Sequence, residues 1–144
     1  MARADFAFCT RIRVRYAEID AQAVVFNSRY LEFADVAITE YWRAVGFRSA
    51  GAAWAALEFH VARALVEFKA PIRYDEEIDL YARTTRIGRS SLTTWIEIHG
   101  AAQGPADDLR ATVEIVNVNV DLASGTSCRL PDWIGETFTR FDAG

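Results

Sequence analysis

From Phe6 to Tyr16 apolar and charged positions alternate. Ile12, Val14 and Tyr16 fall on one side, and Arg11, Arg13 and Arg15 on the other. A period of two predicts a half-buried β-strand. The period then changes. Leu31, Ala34, Ile38, Tyr41, Trp42 and Val45 recur at spacings of three and four, while Glu32, Asp35, Thr39 and Arg43 fall mostly between them. That pattern predicts an amphipathic helix. Asn27 or Ser28 suits its N-cap, because either side chain accepts a bond from a free first-turn N–H. Gly46 supplies the stop. "RSAGAAWAALE" is weakly patterned and reads as a loop or a short second helix.

Four strand-like runs follow: Phe59–Phe68, Ile78–Ile87, Leu92–His99 and Ala111–Val120. All are rich in β-branched or aromatic residues. "KAPIRYDEE", Gly88, "GAAQGPADD" and "DLASGTS" separate or close them as turns. "LPDWIGETFTRF" reads as a short turn or helix that covers an edge. The order of strand, long helix and four closely joined strands predicts an α+β architecture, with an antiparallel sheet wrapped around one long central helix. No repeat or linker interrupts it, so residues 1–144 read as one domain.

Composition narrows the function. The 144 residues are 51% hydrophobic and 25% charged, an ordinary globular balance. A net charge of −4 argues against a general nucleic-acid binder. Cys9 and Cys128 match no metal or redox spacing. The N-terminus lacks the apolar core of a signal peptide, and no run reaches the ~18 apolar residues of a membrane span. A soluble, cytoplasmic protein is expected. His60 and His99 have no ligand-spaced partners, so no metal is expected at either.

The chemistry turns on "DAQAVVFNSRYLEF", Asp20 to Phe33. A lone carboxylate stands just before an apolar run and a helix start. By spacing alone, Asp20 reads as a turn or capping residue or as a reactive group. "VRYAEIDAQAVVFNSRYLEFAD" resembles the N-terminal motif of hotdog-fold acyl-CoA thioesterases of the 4-hydroxybenzoyl-CoA thioesterase type. The matching parts are Asp20, Val24, Val25, Phe26, Asn27 and Tyr30. "VEFKAPIRYDEEIDLYARTTRIGRSSL" resembles the same family's strand, Pro-containing turn and next strand. Two positions depart from the family pattern. Ala23 stands where the family usually has Gly, and Asn27 stands where many relatives have His. The second change leaves a single-carboxylate mechanism intact.

The resemblance implies a hotdog fold and hydrolysis of an acyl-CoA thioester without a metal or redox cofactor. It implies Asp20 as general base or nucleophile, and the backbone N–H near Asn27 as donor to the oxyanion. Both roles are chemically apt, since a carboxylate can activate water or attack the carbonyl, and helix-start N–H groups can hold the developing charge. Glu67, on a strand that supplies the base in some hotdog enzymes, is the second acid to consider. Tyr30 falls on the apolar stripe and reads as core. Coenzyme A brings phosphates, and Arg83, Arg86 and Arg89 with Ser90 and Ser91 form the candidate patch for them. The family also implies homodimers or homotetramers, with joined sheets and sites at the subunit interface. A hotdog hydratase or dehydratase and a non-catalytic acyl-thioester binder are the alternatives; only a thioesterase liberates the CoA thiol.

Overall fold

The computed structural model describes residues 3–47, 52–101 and 106–144. The first part of "RSAGAAWAALE" and the middle of the "GAAQGPADD" loop lie outside them. Strand β1 spans Phe8–Arg13, helix α1 Arg29–Val45, the short α2 Ala52–Ala55, β2 Phe59–Phe68, β3 Glu77–Ile87, β4 Ser91–Gly100, β5 Leu109–Asp121, β6 Thr126–Ser127 and α3 Asp132–Asp142. The sheet runs β1-β3-β4-β5-β2, every neighbour antiparallel, with β6 paired to β5. Helix α1 lies in its concave side. This is the hotdog arrangement expected from the sequence.

Strand alternation builds the two faces of the sheet. Ile78, Leu80 and Ala82 of β3, Leu92, Ile96 and Ile98 of β4, and Ala111, Val113 and Ile115 of β5 point inward and are buried. Against them α1 buries Tyr30, Phe33, Ala34, Ala37, Tyr41 and Trp42. The stripe is rotated from the expected one: Leu31 is exposed, and Phe33 and Ala37 take the core instead. On the convex face, Arg11 and Arg13 pair across the strands with Asp79 and Glu77, at 2.7 Å each. The same face buries His99, whose Nε2 lies 3.0 Å from Glu97 Oε1.

Two expectations change at the ends of the chain. The first strand stops at Arg13 instead of running to Tyr16. Glu18 accepts the Arg15 N–H at 2.7 Å, closing a 3-10 turn over Tyr16–Glu18, and Tyr16 faces solvent. The C-terminal segment is a true helix of 11 residues, and its end covers the part of β3 that runs past β1, where the Thr84 N–H donates to Asp142. Ile134 and Phe138 are one helical turn apart and both buried, so α3 packs on α1 and β3. Phe138 stacks near Tyr41, Trp42 and Trp54, and Trp133 meets Trp54 at 5.0 Å. This aromatic cluster closes the end of the fold where α1 finishes at Gly46, a left-handed cap with φ 119°.

A buried polar latch fastens α3. The Tyr41 hydroxyl donates to the Asp142 carboxylate at 2.8 Å, and the Thr84 N–H donates to it at 3.0 Å. Burial pushes both the Tyr41 hydroxyl and the Asp142 carboxyl above their ordinary ranges. Among the described residues, no helix is long and apolar enough to cross a membrane.

Removing the Tyr41 hydroxyl strands the Asp142 carboxylate without its side-chain donor. Tyr41→Phe is expected to destabilise the fold by about 1–3 kcal/mol, read as a lower midpoint in urea unfolding. An unchanged midpoint would show that the latch contributes nothing net.

Candidate active site

The segment from Ile19 to Val25 folds back on itself. Ile19 and Val25 form an antiparallel bridge, the Asp20 N–H donates to the Val24 carbonyl at 2.9 Å, and the Ala23 N–H donates to the Asp20 carbonyl at 3.0 Å. Three residues, Ala21 to Ala23, make the loop. A hairpin loop of this length is commonly a tight turn followed by one left-handed residue. Ala23 is that residue, at φ 62°. This accounts for the glycine that the family motif carries at this position: only glycine enters the left-handed region without a Cβ clash.

The loop is pinned from two sides. The Val25 N–H donates to the Ile72 carbonyl at 2.8 Å, the Tyr74 N–H to the Ala23 carbonyl at 3.2 Å, and the Phe26 N–H to the carbonyl of buried Glu18 at 3.0 Å. Asp20 is held half-buried in this frame. Its Oδ1 accepts the Gln22 N–H at 2.8 Å, as a turn residue would. Oδ2 takes no protein donor among the described residues. Asp20 is therefore a turn residue with one oxygen still available for other work.

Helix α1 begins four residues beyond Val25. Ser28 occupies the N-cap position in helical conformation, and its side chain makes no capping bond. The expected side-chain cap is thus not formed by Ser28, and Asn27 lies one residue further out. The Arg29 and Tyr30 N–H groups turn back to the Phe26 and Asn27 carbonyls. Among the described residues, the N–H groups of Asn27 and Ser28 donate to no protein acceptor. Free N–H groups at the positive end of a 17-residue helix are a ready site for developing negative charge. Tyr30, read as core, is buried and meets Phe68 of β2 at a ring distance of 4.8 Å.

Glu67 lies on β2 beside this end of the helix, but its side chain takes the opposite face. It pairs in register with Thr112, whereas Val66 and Phe68 face the helix side. Its carboxylate is exposed, 3.6 Å from Lys69 Nζ. A single chain therefore does not aim Glu67 and Asp20 at one point.

The arginines lie farther away. Arg83 donates to the Asp5 carbonyl at 2.7 Å. Arg86 is exposed beside a bulge in β3, and Arg89 with Ser90 forms the β3–β4 turn. The Gly88 N–H donates to the Ser91 carbonyl at 2.8 Å within that turn. Arg129 joins Arg89 along a cleft of about 430 Å³, because the Leu130 N–H bonds the Arg89 carbonyl at 2.8 Å. No local motif announces Arg129; strand pairing and the return of the chain into α3 bring it there. The Asp20 loop sits at the Glu77 end of β3 and the arginine turn at its Ile87 end. The 11 residues of β3 span about 35 Å.

Comparison with known proteins fits this fold. Residues 14–138 match the model of the thioesterase-like superfamily, and the chain belongs to that superfamily. A putative esterase of Aquifex aeolicus is 30% identical over 86 residues, covering 60% of this chain and 67% of the relative. A Thermus thermophilus thioesterase, solved with coenzyme A and zinc, superposes with a TM-score of 0.80 at 24% identity, covering 97% of this chain and 98% of its own. A 1,4-dihydroxy-2-naphthoyl-CoA thioesterase from Synechocystis gives a TM-score of 0.79 at 17% identity, over 94% and 97% of the two chains. The two structures share this fold.

The left-handed alanine generates a prediction. Ala23→Gly relieves a Cβ clash at φ 62°, partly offset by the greater freedom of glycine in the unfolded chain. A net gain of about 1 kcal/mol is expected. The check is the melting temperature of Ala23→Gly against wild type; a fall would mean that Ala23 is not strained.

Proposed function

We propose that the chain is an acyl-CoA thioesterase in which Asp20 drives hydrolysis and the Asn27 and Ser28 N–H groups hold the oxyanion. The observation that carries this reading is the pairing of a pinned carboxylate, one oxygen unpartnered, with unbonded N–H groups at a helix start seven residues on. Asp20 takes a proton from water as the water attacks the thioester carbonyl, or attacks the carbonyl itself. Charge gathers on the carbonyl oxygen, where the N–H dipoles meet it. The tetrahedral intermediate then collapses, breaking the C–S bond and releasing the CoA thiolate; where Asp20 is the attacking group this leaves an acyl–Asp20 anhydride, which water cleaves to the free acid and the Asp20 carboxylate. Asn27 contributes its backbone in this scheme, so the missing family His is no obstacle.

The active form is a homodimer joined edge to edge along β2, alone or as half of a tetramer. β2 is an outer strand with Val61 62% and Phe68 55% exposed, an edge that pairing protects. Its Phe68 end lies by Tyr30, close to the Asp20 loop. Its Phe59 end lies by the arginine turn, since the Asn119 N–H bonds the Ser90 carbonyl and Asn119 pairs with Phe59. A twofold axis through β2 sets the Phe59 end of one copy against the Phe68 end of the other. Arg86, Arg89, Ser90 and Ser91 of one copy then approach Asp20 of its mate, across the gap that separates them within a chain. They hold the coenzyme's phosphates there, with Arg83 behind them. Light scattering on the eluting protein at micromolar concentration is expected to give a dimer or tetramer mass. A strict monomer would rule out this shared site.

Release of free CoA thiol, followed with a thiol-reactive dye, tests the chemistry. Asp20→Asn keeps the size and turn-forming ability of the residue but removes the base. It is expected to lower kcat by at least about 10²-fold, with little change in melting temperature. Glu67→Gln is expected to cost far less. An active Asp20→Asn together with a dead Glu67→Gln would move the base to β2 and leave Asp20 as a turn residue.

A further inference from the structure

The turn of residues 69–76, between β2 and β3, touches both halves of the proposed site. It holds the Asp20 hairpin through the Val25–Ile72 and Tyr74–Ala23 backbone bonds and the Val24–Arg73 bridge. It also meets the first turn of α1. The Tyr30 ring packs on Phe68, the residue before the turn, and the Tyr30 hydroxyl lies against the Ile72 backbone, in the field of Arg110 and Glu76. Where this turn sits therefore decides how the Asp20 carboxylate faces the Asn27 and Ser28 N–H groups.

One residue of β5, Arg110, holds the turn along its length. Its carbonyl accepts the Lys69 N–H at 2.9 Å and the Ala70 N–H at 3.1 Å. Its guanidinium donates to the Pro71 carbonyl at 2.9 Å and to the Glu76 carboxylate at 2.9 Å. Glu76 in turn accepts the Arg73 N–H at 2.9 Å. Asp108 aims the guanidinium, taking it in a bidentate pair at 3.1 and 2.9 Å. Asp108 is itself fixed, because its N–H donates to Nδ1 of buried His99 at 3.2 Å. A planar fork of donors serves all of these acceptors at once, which an ammonium on a flexible stem does not. The Arg110 side chain is only 14% exposed, and such bonds are stronger there than at an open surface. Among the described residues, Arg110 bonds neither Asp20 nor the N–H groups at the helix start. Its influence on them passes through the turn.

We propose that Arg110 is a positioning residue for thioester hydrolysis: it fixes the 69–76 turn, and the turn keeps the Asp20 carboxylate aligned with the oxyanion donors. The proposal rests on the thioesterase reading above. A shift of about 1 Å at the reacting atoms can cost roughly 10²-fold in rate, even when its source lies away from the chemistry. The arginine turn proposed to hold the coenzyme's phosphates is left untouched by a change at Arg110. Its loss therefore falls on kcat and spares KM.

The test compares Arg110→Met and Arg110→Lys with Arg11→Met in the full chain. Arg11→Met is the control: it also breaks an arginine–carboxylate pair on the convex face, with Asp79, but away from the turn. CoA thiol release is followed on whichever of acetyl-, benzoyl- and dodecanoyl-CoA wild type turns over fastest, at a temperature where circular dichroism shows every variant folded. Arg110→Met is expected to lower kcat about tenfold or more with KM within about twofold, and Arg11→Met to change neither. Arg110→Lys keeps the charge without the fork, so its kcat should fall between wild type and Arg110→Met; it carries the test if Arg110→Met does not fold. Amide hydrogen exchange reads the clamp without turnover: Val25 and Tyr74 should exchange faster in the Arg110 variants than in wild type or Arg11→Met. Wild-type kcat in the folded Arg110 variants would overturn the proposal. An equal fall of kcat in Arg11→Met would overturn it too, by showing a general loosening of the sheet. Release of CoA from none of the three substrates, with faster Val25 and Tyr74 exchange in the Arg110 variants, would sink the thioesterase reading and leave the clamp on the hairpin standing.

Discussion

The fold turns on one constraint: α1 carries a wide apolar face that has to be covered. The concave sheet covers one flank through β3, β1 and β4. The aromatic cluster of Trp54, Trp133 and Phe138 covers the C-terminal end. Neither reaches the side along β2, where Val61 and Phe68 stay open although Tyr30 and Trp42 already lean on the strand's two ends. Burial is favoured roughly in proportion to the apolar area removed from water. The incomplete coat is thus both a stability deficit in the lone chain and the place where a cleft can form.

The same constraint positions the groups proposed for the chemistry. Burying the first turn of α1 through Tyr30 and Phe33 fixes where the helix starts. The approach to that start is fixed in turn by backbone bonds to Glu18, Ile72 and Tyr74. Little is left for side-chain capping to do, and the helix begins with N–H groups unclaimed. In an ordinary helix such groups are an unmet need. Here they stand beside a hairpin that spends one Asp20 oxygen on its own turn and leaves the other open. The strained Ala23 fits this picture, because a loop pinned by several backbone bonds can hold one residue in an unfavourable conformation.

Much of this was legible in the residues. The strands following the helix came through within one or two positions, because their alternation is long and β-branched. The helix end at Gly46 came through because a left-handed cap nearly names its residue. The helix's buried face was rotated, since Leu31 and Phe33 are both apolar and only packing decides between them. The C-terminal helix was underread for a related reason: Ile134, Phe138 and Phe141 mark one face only once Trp54, far away in sequence, is known to sit against them. Of the residues proposed for the site, Asp20 and Asn27 stand out by motif. The opposite facing of Glu67 follows from register across a bulge, and the placing of Arg129 beside Arg89 from tertiary pairing; neither leaves a local trace.

The two edges of the sheet show where the chain solves the edge problem alone and where it does not. β1 carries Arg11 and Arg13, locked to Asp79 and Glu77, and the cleft on its flank has Arg15, Glu18, Glu32 and Asp35 around apolar Ile12, Leu31 and Val36. Charges of both signs along an edge discourage another strand from docking there. β2 is the more apolar edge: Val61, Ala62, Ala64, Leu65 and Val66 run through its middle around Arg63, which pairs with Glu114, and Glu67 stands near one end. In the proposed dimer the added strand docks at the more apolar of the two edges. An antiparallel pairing of two β2 strands in that dimer sets opposite ends of the two chains side by side. In the proposed dimer, the separation of Asp20 from the arginine turn within a chain and the apolar character of β2 have one explanation, with half of each site kept at the far end of the other copy.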